Sequence, residues 1–298
     1  MTERTGVLDR PGTGPAVRRA PARTSPRRPR GAVARRAALS VLLGLLALLT
    51  VSPFAAMFVV ALSPAGKPTV PAAWPSSLTL DNVVRVVSAS GFLTWTFNSL
   101  VYAVVSVVII LLTASMAGYA FAKKRFPGRD AMLWTFLATM MVPFQATLIP
   151  MFVLISDLGG VDTFWGLIVP TLANSQAVFL MRQFIRDLPD ELFDAAKVDG
   201  APEWVVYWRI VVPLTRPVLA TLGVFVFLWH WNDFLWPLVI AQSDEMRTLT
   251  VGLTTLQTEE IQLSMLMASA AVSVVPCLLV FFVLQRYLVN SIAMTGLK

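Results

Sequence analysis

Residues 98–121, NSLVYAVVSVVIILLTASMAGYAF, run for 24 positions without a charge. A helix crossing about 30 Å of hydrocarbon at about 1.5 Å per residue needs roughly 20 apolar residues. A soluble helix of that length interrupts its apolar stripe with polar residues at every turn, and this stretch does not. Working outward from it, five more uncharged or nearly uncharged gaps of spanning size follow the same pattern: 38–62, 131–155, 163–181, 217–240 and 265–285. Only 217–240 is interrupted, by Asp233. The composition agrees: 56% of residues are hydrophobic, 14% charged, and the mean hydropathy is +0.69. So few charges do not clothe a soluble surface. The expected fold class is all-α, a polytopic membrane protein with six transmembrane helices.

Charge gives the orientation. The net charge of +7 sits almost wholly in residues 1–37, which hold Arg4, Arg10, Arg18, Arg19, Arg23, Arg27, Arg28, Arg30, Arg35 and Arg36. With interleaved Pro, Gly and Ala, this segment reads as a disordered cytoplasmic tail drawn to anionic membrane lipid. No aromatic residue interleaves with the arginines, which argues against nucleic acid as a partner. The uncharged run 37–66 is too long for the apolar part of a signal peptide, so 38–62 reads as a retained first transmembrane helix. Six spans place both termini on one side. Of the 24 Lys and Arg, only Lys67, Arg85 and Arg247 then fall on the other side, 21 against 3. By the positive-inside rule both termini are cytoplasmic, 63–93 is an extracytoplasmic loop, and 288–298 is a cytoplasmic C-terminus.

Small residues in Ala114-Ser115-Met116-Ala117-Gly118 and Ala268-Ser269-Ala270-Ala271 suggest close helix approach. Pro53, Pro143, Pro150, Pro170 and Pro276 are candidate kinks. The lone Cys277 excludes an internal disulfide, and its apolar neighbours make it a packing residue.

Between the fourth and fifth spans, about 35 residues (182–216) form a loop too long for a simple turn. Pro189 with Asp190 and Glu191 starts a short helix, and Gly200 ends it. Pro202 and Glu203 open a second, carrying Trp204, Tyr207 and Trp208 towards Pro213. In this protruding knuckle, Phe193, Ala196 and Val198 offer an apolar contact surface, with Asp194 and Lys197 as polar anchors. Helix physics leaves two readings open: an amphipathic segment lying on lipid, with the aromatics as a belt, and a docking knuckle.

Asp194-Ala195-Ala196, Gly200, Ile210 and Pro213 resemble the EAA loop of ABC importer permeases, EAA-x3-G-x9-I-x-L-P, with Asp194 in place of glutamate and Val212 in place of leucine. The resemblance extends from about residue 40 to the C-terminus. It includes Asn98-Ser99-Leu100, Ala117-Gly118-Tyr119-Ala120, Phe126-Pro127-Gly128-Arg129, Met141-Val142-Pro143 with Pro150, Trp231-Asn232-Asp233-Phe234 with Pro237, and Gln285-Arg286-Tyr287. In this order and spacing they resemble the second, six-span permease of the maltose-type (CUT1-like) carbohydrate importers. That family implies a type I ABC importer permease fold, with an ABC type-1 permease domain over 94–287. It also implies a homologous permease partner, two ABC ATPase subunits, and an extracytoplasmic solute-binding protein that delivers a sugar, oligosaccharide or related polyol. On this resemblance Asp194, Ala195, Ala196, Asp199, Gly200, Ile210 and Pro213 are the positions that couple to the ATPase.

The residues point to no chemistry of the chain's own. Without a Gly-x4-Gly-Lys-Ser/Thr stretch it lacks a P-loop, so ATP belongs to partner subunits and no cofactor or metal is expected here. His230 and Asp233, three apart, share a face of the fifth span and, with Asn232, are candidates for the solute path or a permease interface. A proton relay is a further reading. The alternative function is a gradient-driven secondary transporter, which calls for an inverted repeat and broken midplane helices; no convincing repeat is evident between the first three spans and the last three.

Overall fold

The computed structural model describes residues 30–64, 77–259 and 262–295. Two compact units emerge, Met1–Ser52 and Pro53–Lys298. Most of the basic tail, 1–29, lies outside the described residues, as do 65–76 of the first loop. The end of the tail departs from expectation. Residues 30–37, read as disordered, are the first turns of α1 (Arg30–Ala61), because Ala and Arg are strong helix formers. Pro53 lies inside α1 without ending it.

In the second unit, α2 (Asp81–Val87) closes the end of α1. The buried Asn82 amide donates to the carbonyls of Ala61 at 3.0 Å and Ser63 at 2.8 Å, groups that the helix itself leaves unpaired. The following helix, α3 (Phe92–Lys123), is the axis of the unit. Its 32 residues correspond to about 48 Å at 1.5 Å each, longer than the hydrocarbon layer. A run of β-branched residues forms a helix here because lipid leaves the backbone no other way to satisfy its N–H and C=O groups. All three buried clusters draw on α3: Ile110, Ala114, Tyr119 and Phe121 in one, Phe92, Trp95 and Ala103 in the second, Tyr102 in the third.

The third and fourth expected spans are each broken. α4 (Arg129–Thr139) and α5 (Phe144–Asp157) meet at 100°, and α6 (Phe164–Ile168), extended by the 3₁₀ turn Val169–Thr171, meets α7 (Ser175–Arg186) at 46°. Proline explains the first break: Pro143 is extended (φ −63°, ψ 133°), donates no N–H and forces Val142 out of helix. At the second, Pro170 sits in the 3₁₀ turn, and the Asn174 side chain restarts a helix by accepting from the Ala177 amide at 2.8 Å. With each bent pair taken as one span, the four straight helices bring the total to six.

After α8 (Asp190–Val198) come α9 (Glu203–Val206), a π turn Tyr207–Val211 and α10 (Val212–Asn232). Together the last three form one helical span, Glu203–Trp231. The expected short second helix of the knuckle is therefore the end of the fifth span. Pro213 cannot complete the normal ladder, and the wider π turn just before it absorbs the mismatch. Likewise Arg182–Arg186 is helical in α7, so the real connection is 187–202, not 182–216. α11 (Leu235–Ile240), α12 (Leu249–Glu259) and α13 (Leu263–Thr295) complete the chain, with α13 continuing past the expected end at 285.

The small-residue stretches pack as expected. A Cβ on Gly118 would lie 2.7 Å from Met181 Cβ, so α3 and α7 touch nearly backbone to backbone. Ala268, Ser269 and Ala271 are buried, and the Trp231 indole donates to the Ser273 carbonyl at 3.1 Å, joining α10 to α13. At the first turns of α3, Trp95 donates to the Asp244 carbonyl at 3.2 Å, Asn98 to those of Glu245 at 2.7 Å and Arg247 at 3.0 Å, and Ser99 accepts from the Leu249 amide at 2.8 Å. Asp162, in a left-handed conformation (φ 54°), holds the same loop from below by accepting from the Ser243 amide at 2.8 Å.

Candidate functional site

Two features concentrate polar groups: the knuckle 187–202 and a cleft between the broken spans. In the knuckle, Asp190 and Glu191 sit in the first turn of α8, where the helix dipole favours them, and Lys197 sits in the last. Gly200 adopts φ +68°, which lets the chain reverse into Pro202, and the space beside its Cα is open. Asp194, Ala195, Asp199 and Gly200 are exposed, and among the described residues Asp194 pairs with Lys197 across one turn at 2.8 Å.

The apolar surface of the knuckle is not the one expected. Phe193 and Ala196 are buried in the cluster with Tyr119, Met181 and Ile185. They face inward because they lie three apart on the side of α8 towards α3 and α7, and only Val198, 88% exposed, still points out. Ile210 packs against the same cluster and Pro213 is half-buried in the helix, so neither stands at the exposed tip. Phe193 and Ala196 are thus spent inside the protein, while Leu192, Ala195 and Val198 leave a narrow exposed apolar strip on the outer side of α8. Trp204 and Trp208 remain exposed, whereas Tyr207 is buried with its hydroxyl 2.7 Å from Ser115 Oγ.

The residues that seat the knuckle lie on α3, and sequence reading passed over them. Lys123 Nζ donates to the Leu188 carbonyl at 2.7 Å, the Arg186 carbonyl at 3.3 Å and the Asp190 carboxylate at 2.6 Å, and stands 4.9 Å above the Phe193 ring. The Tyr119 hydroxyl donates to Glu203 at 2.9 Å, Lys124 pairs with the same carboxylate, and the Tyr119 and Phe193 rings stack at 6.0 Å. The hydrogen bond and charge of Lys123 hold the Asp190 carboxyl below its ordinary range. Burial is the largest single influence on the Lys124 ammonium and pulls it down, but hydrogen bonding and charge interaction with Glu203 and Tyr119 together outweigh it and leave it above the ordinary lysine value.

The cleft, of about 730 Å³, lies where both bent spans break. Thr139 at the end of α4 and Ser175 at the start of α7 join across it, 2.7 Å apart. Its polar lining includes Gln145, Thr171, Asn174, Gln176, His230 and Asp233, with Trp229 as the aromatic wall. His230 Nδ1 donates to the Val226 carbonyl at 2.8 Å, Nε2 is 3.3 Å from Thr171 Oγ1, and the ring stands edge-on to Tyr102 at 4.9 Å. The Tyr102 hydroxyl donates to Asp233 at 2.8 Å. Asp233 is not on a shared helical face with His230, since α10 stops at Asn232 and Asp233 is extended. The cleft nonetheless brings the two together. Asn232 does not join them: it is exposed and its amide turns back to the Leu228 carbonyl at 2.8 Å.

Residues 110–294 match the family of binding-protein-dependent transport system inner membrane components. The chain belongs to that family. Over 226 residues it is 38% identical to the arabinooligosaccharides transport system permease protein AraQ of Halalkalibacterium halodurans, covering 75% of this chain and 81% of that one. To the lactose transport system permease protein LacG of Rhizobium radiobacter it is 37% identical over 196 residues, 65% of this chain and 72% of that one. A chain from the crystal structure of a bacterial ABC transporter involved in the import of the acidic polysaccharide alginate superposes with a TM-score of 0.74 at 25% identity, covering 88% of this chain and 99% of that one. This inner membrane component is thus a multi-pass permease with the type I ABC importer fold. A gradient-driven secondary transporter is set aside, because members of the family work with a binding protein.

Proposed function

We propose that this permease pairs with a homologous permease to form the membrane pathway for a carbohydrate delivered by an extracytoplasmic binding protein, and that its knuckle takes up the motion of two ABC ATPase subunits. ATP is bound by those subunits, and the chain carries no cofactor of its own. Both termini and the knuckle face the cytoplasm, supported by the 21 to 3 division of Lys and Arg. The observation that carries the reading is the sidedness of α8: Phe193 and Ala196 turned inward, Asp194 and Ala195 with Asp199 and Gly200 turned out. The outward four form the contact with the ATPase, in which Asp194 accepts a charge-assisted hydrogen bond. Ala196, Ile210 and Pro213 hold the shape behind it.

His230 and Asp233 line the solute path in the cleft, and exposed Asn232 stands outside it, available to the partner permease. Hydroxyls, amides and a tryptophan face suit a sugar or polyol, and relatives named for arabinooligosaccharides and lactose support that class. The cleft includes no Lys or Arg to compensate an anionic solute.

The test is Ala195→Arg in the assembled complex. Ala195 is exposed, so the fold survives, whereas arginine at buried Ala196 would disturb the core. Gly200→Trp serves as a second variant, with a left-handed backbone cost of about 1–2 kcal/mol. Both variants are expected to insert normally and lose solute-stimulated ATP hydrolysis. Unchanged stimulation, or uptake without any ATPase subunit, would overturn the reading.

A further inference from the structure

We infer that the knuckle and α3 move as one rigid piece, with Lys123, Lys124 and Tyr119 as the positioning residues that latch them. The inference rests on the coupling role proposed above and adds where the motion goes next.

The connection 187–202 is tied at both of its ends to the same end of the same helix. At its entrance, the Lys123 side chain is only 8% exposed, and its three N–H donors meet three acceptors on the chain leading into α8. A lysine at a helix end ordinarily extends its ammonium into water. This one turns inward and is fixed. At the exit, Glu203 accepts from both Tyr119 and Lys124. Ser115, Tyr119 and Lys123 are four apart, so a single stripe of α3 makes all the attachments but that of Lys124, which caps the helix: Ser115 to Tyr207, Tyr119 to Glu203 and Phe193, Lys123 to Asp190. Gly118, beside that stripe, seats α3 against α7 with no room to slide. Moving the knuckle without α3 would strip several partly buried donors at once, each costing about 1–3 kcal/mol.

α3 also reaches the cleft. Tyr102, 17 residues before Tyr119 and about 26 Å along the axis, holds Asp233 and touches His230. A displacement imposed at Asp194 and Ala195 is therefore delivered through α3 to the cleft wall, without relying on the turns at 187–189 and 199–202.

The experiment uses the full importer, both permeases with their ATPase subunits, in lipid nanodiscs. On a Cys277→Ser background, spin labels at Val198→Cys and Met116→Cys, both exposed, report the distance between knuckle and α3. The expected result is one sharp distance, the same without nucleotide and after trapping with ATP and vanadate. Lys124→Glu alone and Glu203→Lys alone broaden the distribution, and the two together restore it. A merely stabilising contact would lower the yield of complex without a rescue that depends on charge order. A shift of more than about 2 Å on trapping, the scale on which packed helices slide, would overturn the inference, as would single charge reversals that leave the distance sharp or a double reversal that stays broad. A label pair between Val198→Cys and the ATPase separates the two levels: no proximity there in either state sinks the coupling reading itself, whatever the other pair reports.

Discussion

Gly118 and Met181 show how little slack single residues have in this molecule. Gly118→Val places new atoms on Met181 Cβ and on the Arg182 backbone, 2.7 and 2.8 Å from the built Cβ. Overpacking of this kind costs about 1–3 kcal/mol, and the purified complex is expected to melt earlier. Gly223 is the control, because its nearest neighbour is a Leu111 methyl at 3.3 Å that can turn away. Asp190 carries a pH dependence of defined sign. Lys123 depresses its folded value, so its stabilising contribution is full above the unfolded value near about 3.9 and is lost as pH falls through the lower folded one. Thermal unfolding is expected to be flat around neutrality, to weaken only in strong acid, and to lose that part of its acid limb in Asp190→Asn. The positions at 194–200 were picked out through their resemblance to the EAA loop. Lys123 and Lys124 were not, because their partners lie 63 to 79 residues further along, and a pair of lysines after an apolar run reads simply as a membrane boundary. Phe193 and Ala196 were assigned to the wrong side of α8 for a related reason: periodicity identifies an apolar face but not what covers it.

At the scale of elements, gaps between charges located the apolar segments but were blind to their bends. Five prolines had equal standing in the sequence, yet Pro53, Pro150 and Pro276 ride inside continuous helices while Pro143 and Pro170 stand at breaks. A proline's effect depends on whether neighbours satisfy the carbonyls it frees, which is a tertiary fact. Pro143→Ala is expected to let α4 run on into the cleft and reduce transport with assembly preserved, read as uptake per assembled complex. The continuity from Glu203 into α10 gives a second expectation. Amides from about 207 onward should be protected from hydrogen exchange through to the cleft; a fast-exchanging stretch at 207–216 would restore the separate-helix reading.

Over the whole molecule, the apolar side chains left exposed are too many for water: Leu48 on α1, Ile149 on α5, Leu279 and Phe282 on α13. The chain is expected to leave membranes only with detergent. Topology reporters inserted at 126–128 and at 243–246 are expected to fall on opposite sides, cytoplasmic for the first. Six spans were readable because lipid thickness acts on every span alike. The covering of those exposed faces by a partner leaves no comparable imprint on a single sequence.

The loop 243–249, gripped by Trp95, Asn98 and Ser99, imposes an order of birth on the protein. The acceptors for Asn98 are made 147 and 149 residues after it. At about 5–20 residues per second, its side-chain amide waits on the order of ten seconds for them, at the mouth of a helix already inserted. Until residue 249 is in place, Trp95, Asn98 and Ser99 lack the four partners they keep in the finished fold. A chain interrupted after its fourth span therefore keeps this clasp open.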